Sequence, residues 1–171
     1  MFDPTAFDNM KVVIEGALYD KDISGDIVIT DRNDFLNLAK MSRLFEVIFR
    51  LPNSSVEAQV KMESRLDNLA AELLPSFQAE QLAGCFVKLS FFLQHERKID
   101  YQMAKKILVD IWGPTRNITV SVVNHPLDLQ NKISTVLELK FDRLITEDQL
   151  EDLVEMTEFM ITTLKQLSEK I

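Results

Sequence analysis

The segment FEVIFRLPNSSVEAQVKME, residues 45–63, contains two alternating runs on either side of a turn. In each run every second residue is apolar, a period of two that places those side chains on one face of a β-strand. The apolar positions are Phe45, Val47, Phe49 and Leu51 in the first run and Val56, Ala58, Val60 and Met62 in the second. Between the runs, Pro52-Asn53-Ser54 supplies residues that favour turns. The segment therefore predicts an antiparallel β-hairpin with one apolar face.

Further strands are predicted on the C-terminal side of this hairpin. Residues 85–94 alternate in the same way, and Phe86 and Phe92 on the opposite side indicate cover on both faces. Farther along, residues 118–122 and 133–141 predict a second hairpin, joined by a longer connection that contains His125-Pro126.

Three segments carry helix signals. Asp100 is a favourable N-cap, and Gly113-Pro114 would end the helix that begins there. Residues 64–74 have apolar residues at helical spacing before Pro75, which predicts a shorter helix. Thr146 and Gln149 match a capping box, so a long amphipathic helix is expected to run from there to about Lys170.

The apolar stripe of this C-terminal helix suits two uses. A helix that packs on its own sheet needs such a stripe, and two protomers could also share it. We expect the stripe to pack on its own sheet, with an interaction face as the alternative. The residues concerned are Leu150, Leu153, Met160, Leu164 and Leu167.

The N-terminal third of the chain has mixed local signals. Residues 12–19 are rich in β-branched side chains, and with residues 26–30 they predict a hairpin joined by an Asp-Ser-Gly turn. Residues 33–51 are ambiguous. We expect a short helix to about Met41 followed by a strand, with one continuous helix as the alternative.

These elements predict an α+β fold. Because adjacent strands are close in sequence, most should pair antiparallel, with the helices packed on the sheet and the long helix at the C-terminus. Since no linker rich in Gly, Pro or Ser divides the chain, residues 1–171 are expected to form a single domain.

The Asp-rich segment at residues 20–31 resembles the calcium loop of an EF-hand. Its oxygen-bearing side chains and the glycine at the sixth position fall at the spacing of that loop. Asp31 stands where the loop normally has glutamate, however, and Val28 has no side-chain oxygen for the ninth position. We therefore prefer the turn of the predicted hairpin for this segment, with a metal-binding loop as the alternative. The candidate metal ligands are Asp20, Asp22, Ser24, Asp26 and Asp31.

Composition limits the classes of partner and the cellular compartment that we expect for this protein. The formal net charge of −8 disfavours binding to nucleic acid or to anionic membranes. No apolar run reaches the roughly 18 residues of a membrane span, and the first residues do not resemble a secretory signal. The single cysteine, Cys85, suits a reducing interior. We expect a cytoplasmic protein.

Catalytic motifs are not evident in the sequence. It has no glycine-rich phosphate loop, and its two histidines, His95 and His125, lack partners at metal-binding spacing. Cys85 opens an apolar strand, where a buried structural thiol is expected. We expect no cofactor and no enzymatic activity, although an active site built from scattered carboxylates stays open.

What remains is protein–protein interaction. The plan of residues 99–171, strand pairs followed by a long amphipathic helix in an acidic chain, resembles that of type III secretion chaperone-like domains. That resemblance implies a homodimer that binds another protein. We therefore expect a non-enzymatic binding or regulatory protein that acts as a homodimer, with calcium binding through residues 20–31 and chaperone-like protein binding as the alternatives.

Overall fold

One antiparallel sheet organises the computed structural model, which describes residues 5–73, 80–124, 126–127 and 132–171. The six strands of the described residues follow the order β1-β2-β3-β4-β6-β5, and each neighbouring pair is antiparallel. The strands are β1 (Val28–Asn37), β2 (Ser42–Arg50), β3 (Glu57–Ser64), β4 (Phe86–His95), β5 (Asn117–Asn124) and β6 (Ile133–Lys140). The helices are α1 (Thr5–Ser24), α2 (Leu66–Ala71), α3 (Tyr101–Trp112) and α4 (Leu150–Lys170), the last preceded by a 3-10 turn, Glu147–Gln149.

The helices α1, α3 and α4 cover one face of the sheet. Alternate residues of the four inner strands point into this layer and are buried, and they form one hydrophobic cluster with the inward sides of the three helices. The sheet contributes large side chains such as Phe45, Phe49, Leu89, Phe91 and Leu137 to that cluster. The predicted α+β fold, with helices packed on an antiparallel sheet and a long C-terminal helix, is confirmed.

The predicted hairpin at residues 12–30 is wrong in its first arm, which lies within helix α1. Apolar residues recur there at helical spacing and are buried at Phe7, Met10, Ile14 and Leu18. Burial of that stripe against the sheet outweighs the weak strand preference of β-branched residues. The predicted turn is instead the end of α1, where Gly25 adopts a φ of 82° that favours glycine.

The helix predicted at residues 33–41 is also wrong, as is the alternative of one helix over residues 33–51. Strand β1 continues to Asn37, and a turn with Met41 at a φ of 50° leads into β2. The apolar residues that suggested a helix, among them Phe35 and Leu38, are exposed at this edge of the sheet. Pairing with β2 along the whole strand determines the structure here.

The remaining elements lie close to their predicted positions, although Phe86 and Phe92 of β4, predicted to be covered, are only half-buried on the face opposite α1, α3 and α4. The hairpins β2–β3 and β5–β6 form as predicted, and β4 lies between them in the sheet. Thr146 and Gln149 form the predicted capping box before α4. Helix α2 is shorter than predicted, and Pro75 and His125 lie outside the described residues.

The N-cap of α3 offers a test of this local structure. The Asp100 carboxylate accepts hydrogen bonds from the backbone N–H groups of Gln102 and Met103, both at 3.0 Å. We expect Asp100→Ala to lower the free energy of unfolding by about 1 kcal/mol, because two N–H groups lose their acceptor. Urea unfolding followed by fluorescence of Trp112, the one tryptophan of the chain, measures the change. Asp110→Ala on the exposed side of the same helix is the control and should change stability by less than about 0.5 kcal/mol.

Candidate interaction surfaces

The structure does not arrange the five candidate metal ligands as an EF-hand loop. Asp20, Asp22 and Ser24 lie in the last turns of α1, Asp26 follows the helix, and Asp31 belongs to strand β1. An EF-hand needs a loop between two helices, whereas this segment joins a helix to a strand. Among the described residues there is no group of three or more His, Cys, Asp or Glu side chains placed to hold a metal ion.

Several of these side chains have structural roles instead. Asp22 Oδ1 accepts a hydrogen bond from the backbone N–H of Ile29 at 3.0 Å, which ties α1 to the start of β1. Ser24 Oγ donates to the carbonyl of Lys21 at 3.0 Å and so caps the helix end. Asp31 accepts from the backbone N–H of Arg32 at 2.9 Å. Asp22 and Ser24 therefore stabilise the helix-to-strand connection, while Asp31 bonds within β1.

The predicted interaction face on α4 is mostly buried within the chain. Leu153, Met160, Leu164 and Leu167 are at most 2% exposed, and Leu150 is half-buried against the same cluster. These residues face the sheet, so they are not accessible to a partner in this structure. The preferred prediction, that the helix packs on its own sheet, agrees with the observed burial.

Cys85 is buried, and both ring nitrogens of His95 have hydrogen-bond partners. Cys85 is fully buried, and burial, assisted by the Glu72 carboxylate, raises the pKa of its thiol to about 12. His95 lies within 2.7 Å of the Arg97 carbonyl through Nδ1 and within 2.8 Å of Thr135 Oγ1 through Nε2. A thiol that stays protonated is a poor nucleophile, and this imidazole already has hydrogen-bond partners at both nitrogens.

A cleft of about 270 Å³ lies where α3 meets α4. Trp112 lines it together with Phe141 and Phe159, both in edge-to-face contact with the indole, and its Nε1 donates to Thr163 Oγ1 at 3.0 Å. The Arg116 guanidinium lies over the Phe141 ring, 4.9 Å from its centroid. The fluorescence of Trp112 therefore reports on the packing of α3 against α4.

The sheet face opposite the helices carries charged side chains in internal pairs. Lys61 Nζ lies 3.0 Å from a Glu46 carboxylate oxygen, and Lys88 Nζ lies 2.8 Å from one of Glu138. The hydrogen bond from Lys88 lowers the pKa of Glu138, whose partial burial acts in the opposite sense. The charges of these two ion pairs are therefore neutralised within the chain.

The two edges of the sheet differ in how they are protected. Edge strands expose unpaired backbone N–H and C=O groups, and proteins usually shield them with charges, prolines or bulges. At β1 the register shifts between Ile29 and Asp31, and the strand carries Asp31, Arg32 and Asp34. Arg32 and Asp34 also form ion pairs with helix α1, through Glu15 and Lys11 respectively.

Strand β5 at the other edge has none of these devices. Its sequence NITVSVVN contains no charged residue, no proline and no glycine, and its pairing with β6 shows no shift in register. Val122 and Val123 are 47% and 44% exposed, although Val122 belongs to the face that the helices cover elsewhere. The sequence alone predicts this strand but not its place at an edge. Its lack of charge was the one available signal.

Comparison of this chain with protein-family models, with curated proteins and with solved structures finds no match. The resemblance to type III secretion chaperone-like domains therefore rests only on the order of elements α3-β5-β6-α4 within residues 99–171. None of the helices in the described part of the chain is long and apolar enough to cross a membrane.

The packing of α4 can be tested with a pair of substitutions. Leu164→Ala should lower the free energy of unfolding by about 2–5 kcal/mol, because the truncation of a fully buried side chain leaves a cavity in its place. Val154→Ala on the exposed side of the same helix should change it by less than about 0.5 kcal/mol. Urea titration gives both values. Equal, small effects would mean that the Leu164 side faces solvent or a partner.

The burial of Cys85 can be tested by its reactivity. The pKa of about 12, against an ordinary 9.0, makes the thiolate fraction about a thousandfold smaller at neutral pH, since each pKa unit is tenfold. We expect a thiol-disulfide reagent at pH 8 to modify the native protein far more slowly than the protein in urea. Modification at the same rate in both states would show that the thiol is exposed.

Proposed function

We propose that this chain is a non-enzymatic protein-interaction module that forms a homodimer through strand β5. The observation that carries the proposal is that edge strand β5 has no charge, proline or register shift, in a sheet whose other edge is protected. Antiparallel pairing of β5 with its copy would satisfy the backbone groups at this edge and join the two sheets into one.

We place the two-fold axis of the proposed pairing through Val120. An axis perpendicular to the sheet keeps the helices of both copies on the same face, so opposing residues must belong to the same face. In this register Val120 faces its own copy and Ile118 faces Val122 of the second copy. On the opposite face Thr119 lies across from Ser121. The exposed Val122 would then gain Ile118 of the second copy as an apolar cross-strand neighbour, and such pairs stabilise a sheet.

Charge favours a second copy as the occupant of this edge. The chain has a net charge of −8, so most contacts between two copies would bring like charges together. Strand β5 carries no charge, and pairing it with itself avoids that repulsion. It also buries β-branched side chains against one another, which stabilises a sheet.

The acidic surface also bears on the kind of partner and on the compartment. A field of this sign attracts basic protein segments and repels nucleic acid and anionic lipid, so a protein is the proposed partner of the dimer. A lone, buried cysteine is typical of a protein kept in a reducing interior, which supports a cytoplasmic location.

A charge exchange at β5 tests the dimer and its register. Thr119 and Ser121 are exposed, so charged side chains at both positions should leave the fold intact. In Thr119→Lys/Ser121→Lys each lysine would face a lysine of the second copy, and the dimer dissociation constant should rise by about tenfold or more. In Thr119→Lys/Ser121→Glu each lysine would face a glutamate, and the dimer should persist. Sedimentation velocity over a range of concentrations measures both.

The two variants also provide their own control. Equal weakening of the dimer by both would contradict the register, because opposite charges should restore the pairing. A wild-type protein that sediments as a monomer at high concentration would contradict the dimer itself. Far-ultraviolet circular dichroism checks that each variant is folded.

A further inference from the structure

A second surface lies on the outer side of α1, above the strands farthest from β5. Helix α1 forms ion pairs with β1 and β2 through Lys11, Glu15 and Asp8, so it covers the opposite edge of the sheet. A dimer through β5 would leave this outer side free in both copies.

The outer side of α1 has an apolar stripe that no described residue covers. Val12, Tyr19 and Ile23 are 60%, 39% and 83% exposed, and Gly16 lies between them. The four positions are spaced four, three and four residues apart, the spacing of a helix seam that packs against another helix. We call these four residues the α1 seam.

No contact with another part of the described chain requires glycine at position 16. It lies in the interior of a 20-residue helix, where glycine is the least favourable residue after proline. A Cβ built at this position would meet no atom within 4 Å beyond its chain neighbours and the backbone of its own helix, so a larger side chain would fit. Small residues at a helix surface allow a second backbone to approach closely, as at packed helix pairs.

Helix α4 forms an acidic border beside the seam. The two helices run side by side in the same direction, as the contacts of Asn9 with Glu147 and of Lys21 with Glu158 show. Glu151 lies on the same side of α4, between Glu147 and Glu158 in sequence, and it is exposed. Helix α1 and residues 147–170 together contain eleven acidic and four basic residues, which accounts for a net −7 of the chain's −8.

We propose that the α1 seam, with its acidic border on α4, docks a basic amphipathic helix of a partner protein. The apolar side of that helix would lie on Val12, Tyr19 and Ile23 and cross closely at Gly16, while its Lys or Arg residues would face Glu151 and its neighbours. The proposal rests on the protein-binding role proposed above. A second copy suits this surface less well, because its own acidic helices would meet here.

Designed peptides provide the probe. One peptide of about 20 residues places leucine at the seam spacing and lysine elsewhere, and its counterpart has glutamate in place of lysine. We expect the lysine peptide to bind the full-length protein in a fluorescence anisotropy titration, more weakly as salt is added, and the glutamate peptide not to bind. Equal binding of both peptides would overturn the charge argument and the proposal with it.

Three variants locate the site. Gly16→Gln, whose side chain would hold a docked backbone away, should weaken the lysine peptide by about tenfold or more, and glutamine retains a stable helix. Val12→Ser/Ile23→Ser should also weaken binding of the lysine peptide, because it removes apolar contacts. Glu151→Lys should weaken it because the new lysine repels the lysines of the peptide. Met103→Ser on exposed α3 is the matched control and should bind as the wild type does. Unchanged binding by Gly16→Gln and by the serine pair would overturn the proposal.

Gly16→Ala separates binding from stability. Because the added methyl meets open space, this variant should raise Tm by about 2–4 °C. A lower Tm would mean that a contact within the protein needs the glycine, and would overturn the inference.

Failure of this proposal is distinguishable from failure of the β5 dimer. A Thr119→Lys/Ser121→Lys protein that is monomeric and still binds the lysine peptide supports docking at the α1 seam by itself. A change in sedimenting mass caused by the seam variants would instead place a second copy on α1, and would overturn the proposal.

Discussion

Burial of one apolar sheet face beneath α1, α3 and α4 is the constraint on which the rest of the structure depends. The sheet supplies side chains such as Phe49 and Phe91, and the helices supply Phe7, Ile14 and Leu164, all at or near zero exposure. At about 25 cal/mol per Å² of buried apolar surface, this layer provides the main force that holds helices and sheet together. This layer also buries the apolar stripe of α4, so a partner must bind to another surface.

What this packing leaves uncovered lies at opposite ends of the molecule. The β1 edge is shielded by a bulge, by charges and by ion pairs to α1, while β5 is plain and uncharged. Helix α1 protects one edge and presents an exposed seam on its other side. Since α1 is ion-paired to β1 and β2, at the other end of the strand order from β5, pairing at β5 leaves α1 free to dock a partner. A dimer would therefore carry two identical docking surfaces, which increases avidity for a partner that has two binding segments.

The sequence predicts the elements with strong local signals. The alternation in residues 45–63 and the caps at Asp100 and Thr146 each correspond to an observed hairpin or helix end. It does not predict α1, because Val12, Val13 and Ile14 favour strands locally and only burial of Met10, Ile14 and Leu18 against the sheet makes the helix the better solution. Only the start of strand β1 was predicted, within residues 26–30, since the pattern of residues 31–37 becomes clear only once β2 lies beside them.

The candidate sites depended on these same assignments. The Asp20–Asp31 spacing matched a calcium loop only while its backbone was assumed to be a loop, and the helical conformation through Ser24 removes that geometry. The edge position of β5 depends on the strand order, which no local pattern contains. The exposure of the α1 seam could not be recognised before α1 was known to be a helix. The β5 edge and the α1 seam are therefore defined by the tertiary structure, and the sequence alone does not predict them.

Backbone hydrogen exchange in β5 of the wild-type protein, measured by mass spectrometry at high and low protein concentration, tests the central claim most directly. If β5 pairs with a second copy, its amides exchange slowly at high concentration and faster on dilution, while those of the shielded edge strand β1 exchange at the same rate in both samples. Exchange in β5 that does not depend on concentration would contradict the account, because its outer edge would then be unpaired.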